Sequence, residues 1–262
     1  MNGGLCVVRE IATILAPHGI VMMPLKGVLL QRLIYKTSAC RPIGDVDILV
    51  HQSAFSRACA AIEAAGYTAF GVGRDIFRRP NQILEVDLHH RLSTTIRSRL
   101  SGSDMLRRGR LDADLFGARV IIPSPLDLYA HLLLHLTLDW VNHGRLHHPE
   151  DLEAVPESLA ITVPSLVRHL AVLGLDLHAG LMLPLVEAHR PGGITRKVLD
   201  CLRLTESKRM VVAASRKLCQ GAAPGSVARR VGGLMLAPSW VEAGREAVLR
   251  RLFDRQRSSV PM

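Results

Sequence analysis

Residues 41 to 50 read RPIGDVDILV and set two aspartates, Asp45 and Asp47, one residue apart at the start of an apolar run. In an extended strand, side chains at i and i+2 leave the same face. Both carboxylates therefore project one way, while Val46 and Ile48 project the other. Two acids that close repel each other unless a cation neutralises them. A divalent ion does this, and Mg²⁺ in particular is held by one or two carboxylates together with substrate phosphates. Taken alone, the pair reads more readily as two solvated aspartates at an exposed strand end. A second stretch shifts the balance. ILEVDLHH, residues 83–90, alternates strictly, with Glu85, Asp87 and His89 on one face and Leu84, Val86 and Leu88 on the other. A third acid on a neighbouring strand completes a three-carboxylate cluster. Two-metal phosphoryl transfer uses such a cluster: two acids hold and bridge the ions, and the third binds one ion and directs the nucleophile's proton. Glu85 and His89 are expected beside these acids, the histidine hydrogen-bonding near the site rather than ligating an ion.

Upstream, PLKGVLLQ puts Lys26 and Gly27 between a short apolar run and a helical one. A helix start offers free N–H groups and a partial positive charge to a phosphate, and glycine lets the phosphate approach the backbone. Arg41 is placed to clamp a phosphate. A plain strand-to-helix turn and a solvated arginine are the bland alternatives.

The elements that must carry these residues follow from periodicity. Apolar spacing predicts helices over 4–17, from Lys26-Gly27 to 36, and over 53–66. GIVMMP, DVDILV, YTAFGV, ILEVDLHH and ARVIIP read as strands. Residues 92–116 carry no clear pattern. From Pro123 the chain is helical, beginning with PSPLDLYAHLLLHLTLDWV and continuing over 163–189, 193–220 and 239–256. An α/β-type part, 1–123, is thus followed by an all-helical part, 124–262.

The ordered set LKG, R-x-x-x-D-x-D with ILV, and V-D-L-H resembles the nucleotidyltransferase superfamily whose best-known member is DNA polymerase β. More narrowly it resembles a bacterial family of uncharacterised nucleotidyltransferases, in which K-G-x-x-L precedes a tyrosine-bearing helix end, here Leu33-Ile34-Tyr35. The likeness covers about residues 20–90 and continues faintly into HLLLHLTLDW and HHPEDLEAV. It implies an α+β fold, a polymerase β-like mixed sheet with flanking helices, followed by an all-helical C-terminal domain that selects the acceptor. It further implies that Asp45 and Asp47 are the metal-binding pair and Asp87 the third carboxylate. Lys26 and Gly27 stand at the nucleotide-holding turn, and Arg41 and His89 match the narrower pattern. In one respect the chain departs from the superfamily: Val28 follows Gly27 where a serine hydroxyl would meet the triphosphate. Lys26 is expected to act there as a point charge.

The resemblance implies a nucleotidyltransferase that moves a nucleoside monophosphate, AMP by default, from an NTP to an acceptor and releases pyrophosphate. Two Mg²⁺ ions are expected, with Mn²⁺ as a substitute. A small molecule, peptide or protein is favoured as acceptor over RNA. Two alternatives stay open: a tRNA- or RNA-directed enzyme, and a non-catalytic nucleotide-binding module. Charge bears on the first. The net charge of +10 lies wholly in residues 190–262, which hold 15 Lys and Arg against 5 Asp and Glu. That basic segment, with Arg229-Arg230 and Arg250-Arg251, suits an anionic partner or a solvated helical surface. Its few aromatics, Trp240 and Phe253, argue against base stacking.

The histidines at 143, 147 and 148 match no standard zinc spacing and are read as a polar loop. His131 and His135 lack the glutamate that a helical metalloprotease motif requires. The five cysteines have no C-x-x-C spacing, which points to a reducing compartment. With no basic segment leading an apolar one at the start, and with charges interrupting the longest apolar run, a soluble cytoplasmic protein is expected.

Overall fold

The computed structural model describes residues 3–36, 40–71, 73–80, 82–92 and 98–236. These fall into two compact units, one within Met1–Leu92 and Ser101–Ser124, the other within Ser93–Leu100 and Pro125–Met262. The fold is α+β: a mixed five-stranded sheet with flanking helices, then a helical region.

The first unit is built around strands β1 (Met23–Pro24), β2 (Asp45–Leu49), β3 (Thr68–Phe70), β4 (Ile76–Arg78) and β5 (Glu85–His89), in the spatial order β1-β2-β5-β4-β3. Strands β2 and β5 run parallel at the centre, and the other pairs are antiparallel. Pro24 is tolerated because β1 lies at the sheet edge, where a missing N–H breaks no ladder. Val46, Ile48, Val86 and Leu88 line one face of the central pair and are fully buried. Helix α1 (Gly3–Leu15) packs on β2 and on helix α3 (Phe55–Ala64). Its apolar stripe, Val7, Val8, Ile11, Ala12 and Leu15, has the spacing of one helical face.

The opposite face of the β2–β5 pair carries the acids. Leu49 alternates with them and is covered by helix α4 (Gly102–Arg108), so on β2 the acids lie toward the start of the strand. Leu49 belongs to a cluster with Met23, Leu25, Met105 and Leu106. Helix α2 (Lys26–Leu30) starts one residue after β1 and continues as a π-wound turn over Gln31–Tyr35. It is locked to β2 by the Leu25 amide donating to the Asp47 carbonyl at 2.9 Å. A short hairpin, β6 (Arg110–Asp112) with β7 (Val120–Ile122), completes the unit.

The second unit comprises α5 (Pro125–His143), α6 (Asp151–Ser158), α7 (Val163–Val172), α8 (Asp176–His189), α9 (Ile194–Cys201), α10 (Glu206–Cys219) and α11 (Val227–Leu234). Helix α5 is buried along most of its length and packs on α6, α7, α8 and α11. The helix predicted over 163–189 is two helices. Gly174, at φ 69°, takes the left-handed conformation that ends α7, and the Leu175 amide returns to the Leu170 carbonyl at 2.8 Å. The helix predicted over 193–220 likewise breaks between Leu202 and Thr205, and the Thr205 hydroxyl caps α10. The helix expected over 239–256 lies outside the described residues. No described helix is long and apolar enough to cross a membrane.

Candidate active site

Pairing in the sheet brings the two acid stretches together. The parallel register sets Asp45 opposite Glu85, Asp47 opposite Asp87 and Leu49 opposite His89. Side chains in these columns share one face. His89 bridges the two central acids, its Nε2 lying 2.8 Å from Asp47 Oδ1 and 3.3 Å from Asp87 Oδ2. Lys26 Nζ lies 2.5 Å from the same Asp47 oxygen. Asp47 is 3 % exposed, so its charge is almost wholly balanced by these two neighbours rather than by water.

This balance separates the two acids. Burial alone raises the Asp47 carboxyl, but the Lys26 ammonium and His89 outweigh it and hold it well below its ordinary value. Burial also raises Asp87; there the Asp47 and Asp75 carboxylates add to the rise, His89 and Lys26 oppose it, and the result is upward. Asp47 is thus fixed as a carboxylate, and Asp87 is the more basic of the pair.

Among the described residues, one group of three side chains has ligand atoms close enough to share a metal ion: Asp47, Asp87 and His89, all within 4.8 Å of one another. Two carboxylate oxygens and an imidazole nitrogen fit a divalent cation. The group differs from the trio expected from sequence. Asp45 lies on the same face of β2, at its exposed end, and its carboxylate is not part of the group. His89, expected as a neighbour, stands among the ligand atoms. Glu85 pairs with Arg78, on the side of the sheet toward β4.

The remaining sequence candidates gather where α2 begins. Gly27 is buried, and a Cβ on it would stand 2.5 Å from Ile43 Cγ2 and 3.6 Å from Arg41 Nη1. The glycine is therefore required for packing against the 41–43 loop, a role more specific than backbone access for a phosphate. That loop is held by the buried Gln31, whose Nε2 donates to the Arg41 carbonyl at 2.5 Å, and Arg41 Nη1 donates to the Pro42 carbonyl at 2.8 Å. Lys26 takes φ 47°, in the left-handed region that non-glycine residues seldom occupy.

Sequence reasoning missed Asp75. It precedes β4, and its carbonyl accepts from the Leu88 amide at 2.8 Å. The signal was weak, because β4 is three residues long and has a single buried side chain, Phe77. The histidines at 135, 147 and 148 form acid pairs: His135 Nδ1 lies 3.2 Å and His147 Nδ1 3.9 Å from Asp139 Oδ2, and His148 Nδ1 lies 2.9 Å from Glu150 Oε1. Arg229, expected as an anion contact, is buried and donates to the carbonyls of Trp140 at 2.6 Å and Ala222 at 2.8 Å. Its role is to hold α11 against the end of α5.

Among curated proteins none matches the chain. A family model described as uncharacterised nucleotidyltransferase matches residues 5–190, which takes in the whole acid-bearing sheet and the helices as far as α8. The chain belongs to that nucleotidyltransferase family, and the paired acids of β2 and β5 lie within the matched region.

Proposed function

We propose that the protein is a divalent-metal-dependent nucleotidyltransferase that moves a nucleoside monophosphate, AMP by default, from an NTP to a small-molecule, peptide or protein acceptor. The observation that carries this reading is the pairing of Asp47 with Asp87 across two parallel strands, with His89 between them, in a chain of this family.

The reaction has a simple balance. An acceptor oxygen attacks the α-phosphorus of the NTP, the bond from that phosphorus to the β-phosphate's bridging oxygen breaks, and pyrophosphate leaves with its electron pair. Divalent cations, Mg²⁺ or Mn²⁺, when bound would neutralise the phosphates and the charge that develops on the leaving group. Asp47 and Asp87 are the proposed ligands, and Asp45 at the outer end of the same strand face completes the set as the nucleotide enters. Asp87 receives the acceptor's proton. His89 orients both carboxylates. Lys26, the Gly27 turn and Arg41 hold the triphosphate, and the helical part selects the acceptor. The same reading places the protein in the cytoplasm.

The test is a screen of metabolites and peptides with labelled ATP, read by mass spectrometry for a nucleotide-monophosphate adduct and by pyrophosphate release. Wild type should form an adduct that the Asp47→Asn and Asp87→Asn variants lose. Equal turnover by those variants would refute the reading. The basic segment supports one rival, an RNA acceptor. Steep weakening of RNA binding between low and moderate salt would favour it, and flat dependence would dismiss it.

A further inference from the structure

Lys26 does something unusual for a residue expected to hold phosphate: its ammonium sits on the metal-facing acid. Nζ lies 2.5 Å from Asp47 Oδ1, and His89 Nε2 lies 2.8 Å from that same oxygen. A carboxylate oxygen has two lone-pair directions. Both directions on this one are engaged. A divalent cation bonding this oxygen must displace a neighbour, and one on the carboxylate's other oxygen would still lie close to the ammonium and be strongly repelled by it. Of the two neighbours, an imidazole nitrogen can itself serve as a ligand, whereas an ammonium has no lone pair to offer. Lys26 is therefore the group whose departure most favours the cation.

The chain is shaped to put the lysine there. The Leu25 amide is bonded to the Asp47 carbonyl at 2.9 Å, so the residue after Leu25 emerges beside the acid. Lys26 then takes the left-handed backbone at φ 47°. That conformation is unfavourable for a residue with a Cβ and persists only where the surroundings enforce it. Its side chain is 15 % exposed, with four flexible methylenes that let the ammonium swing toward solvent and an incoming phosphate.

We propose that Lys26 is a counter-cation that occupies Asp47 until nucleotide arrives, so that the divalent ion and the triphosphate enter together and neither binds well alone. The phosphates draw the ammonium away and expose the carboxylate; the metal, by linkage, tightens nucleotide binding by the same factor. The inference rests on the metal-holding role proposed above for Asp47 and Asp87.

The experiment measures Mn²⁺ binding to the full chain by electron paramagnetic resonance, with and without the non-hydrolysable analogue α,β-methylene-ATP. The variants are Lys26→Met and Lys26→Gly, the second suited to the left-handed backbone and so expected to fold. Arg78→Met is a control that removes a nearby positive charge, one paired with Glu85. Both Lys26 variants should bind Mn²⁺ alone at least roughly tenfold more tightly than wild type, a modest part of what a unit charge a few ångströms away can exert. The analogue should tighten Mn²⁺ binding more in wild type than in either variant, and Arg78→Met should leave binding of Mn²⁺ alone unchanged. Equal or weaker Mn²⁺ binding by both Lys26 variants would overturn the inference and leave the metal site standing. A gain in Arg78→Met equal to theirs would also overturn it, in favour of a general charge effect. If wild type binds no Mn²⁺ even with the analogue, the metal-site reading falls along with it.

Discussion

Replacing Asp47 by asparagine tests the site before any acceptor is known. The exchange keeps the shape of the side chain and removes its charge. Asp47 is 3 % exposed and holds both Lys26 and His89. Removing one partner of a buried ion pair typically costs about 3–5 kcal/mol, because the other charge is left uncompensated. Lys26 is 15 % exposed and can turn partly to water, and His89 retains Asp87, so a value at or below the lower end applies. We expect a loss of about 2–3 kcal/mol in the first unit. Native-state hydrogen exchange of the β2 and β5 amides reads that unit directly. The pH dependence carries a sign. The folded carboxyl sits well below the ordinary value of 3.8, so its stabilising contribution is complete above that pH and is lost as pH falls further. Wild type should weaken steeply below about pH 4, and Asp47→Asn should weaken less. Adding Lys26→Met to Asp47→Asn should restore part of the loss, with a coupling of about 1–2 kcal/mol. If Asp47→Asn lies within about 0.5 kcal/mol of wild type and shows no coupling to Lys26, the ion pair does not organise the site.

Three further predictions concern the frame. His178 on α8 is fully buried, and burial holds its pKa down to about 4 from 6.5 against the opposing charge of Asp176; wild type should therefore lose about 3 kcal/mol as pH falls from 6.5 to 4, a loss that His178→Phe should remove in urea titrations across that range. Gly27→Ala should destabilise the first unit by about 1–3 kcal/mol, since its methyl would press on Ile43, and adding Ile43→Ala should recover part of this in thermal melts. Glu153 on α6 is buried and accepts from the Ile194 amide at 2.7 Å and the Thr195 amide at 3.0 Å at the start of α9. Glu153→Ala should cost about 2–4 kcal/mol by chemical denaturation, and Glu153→Gln, which keeps one acceptor oxygen, less.

The chemistry-bearing strands were legible because alternation fixes which side chains share a face. DVDILV and ILEVDLHH could be read as two acid-bearing strands, and the ordered motifs led from them to the family. Which residues meet across strands was not legible. That Asp47 faces Asp87, and not Glu85, depends on the parallel register, which a strand's own sequence does not encode. Alternation marks His89 only as a neighbour of the acids, and the place of Lys26 before a glycine marks it as a phosphate-holding group. Their common grip on Asp47 Oδ1 arises from long-range contacts that bring α2 and β5 to one point. Strand β4 and Asp75 escaped because three residues cannot display a period. The break at Gly174 was visible as a glycine, but the apolar run on either side masked it, since each helix there buries its own face.

The central claim is that Asp47 and Asp87 jointly hold a divalent cation at the nucleotide. Crystals grown with Mn²⁺ and α,β-methylene-ATP test it most directly, through the anomalous scattering of manganese. The account predicts a manganese peak bonded to both carboxylates and to a phosphate oxygen, with the Lys26 ammonium moved off Asp47. A nucleotide bound elsewhere, or manganese that touches neither acid, would contradict it.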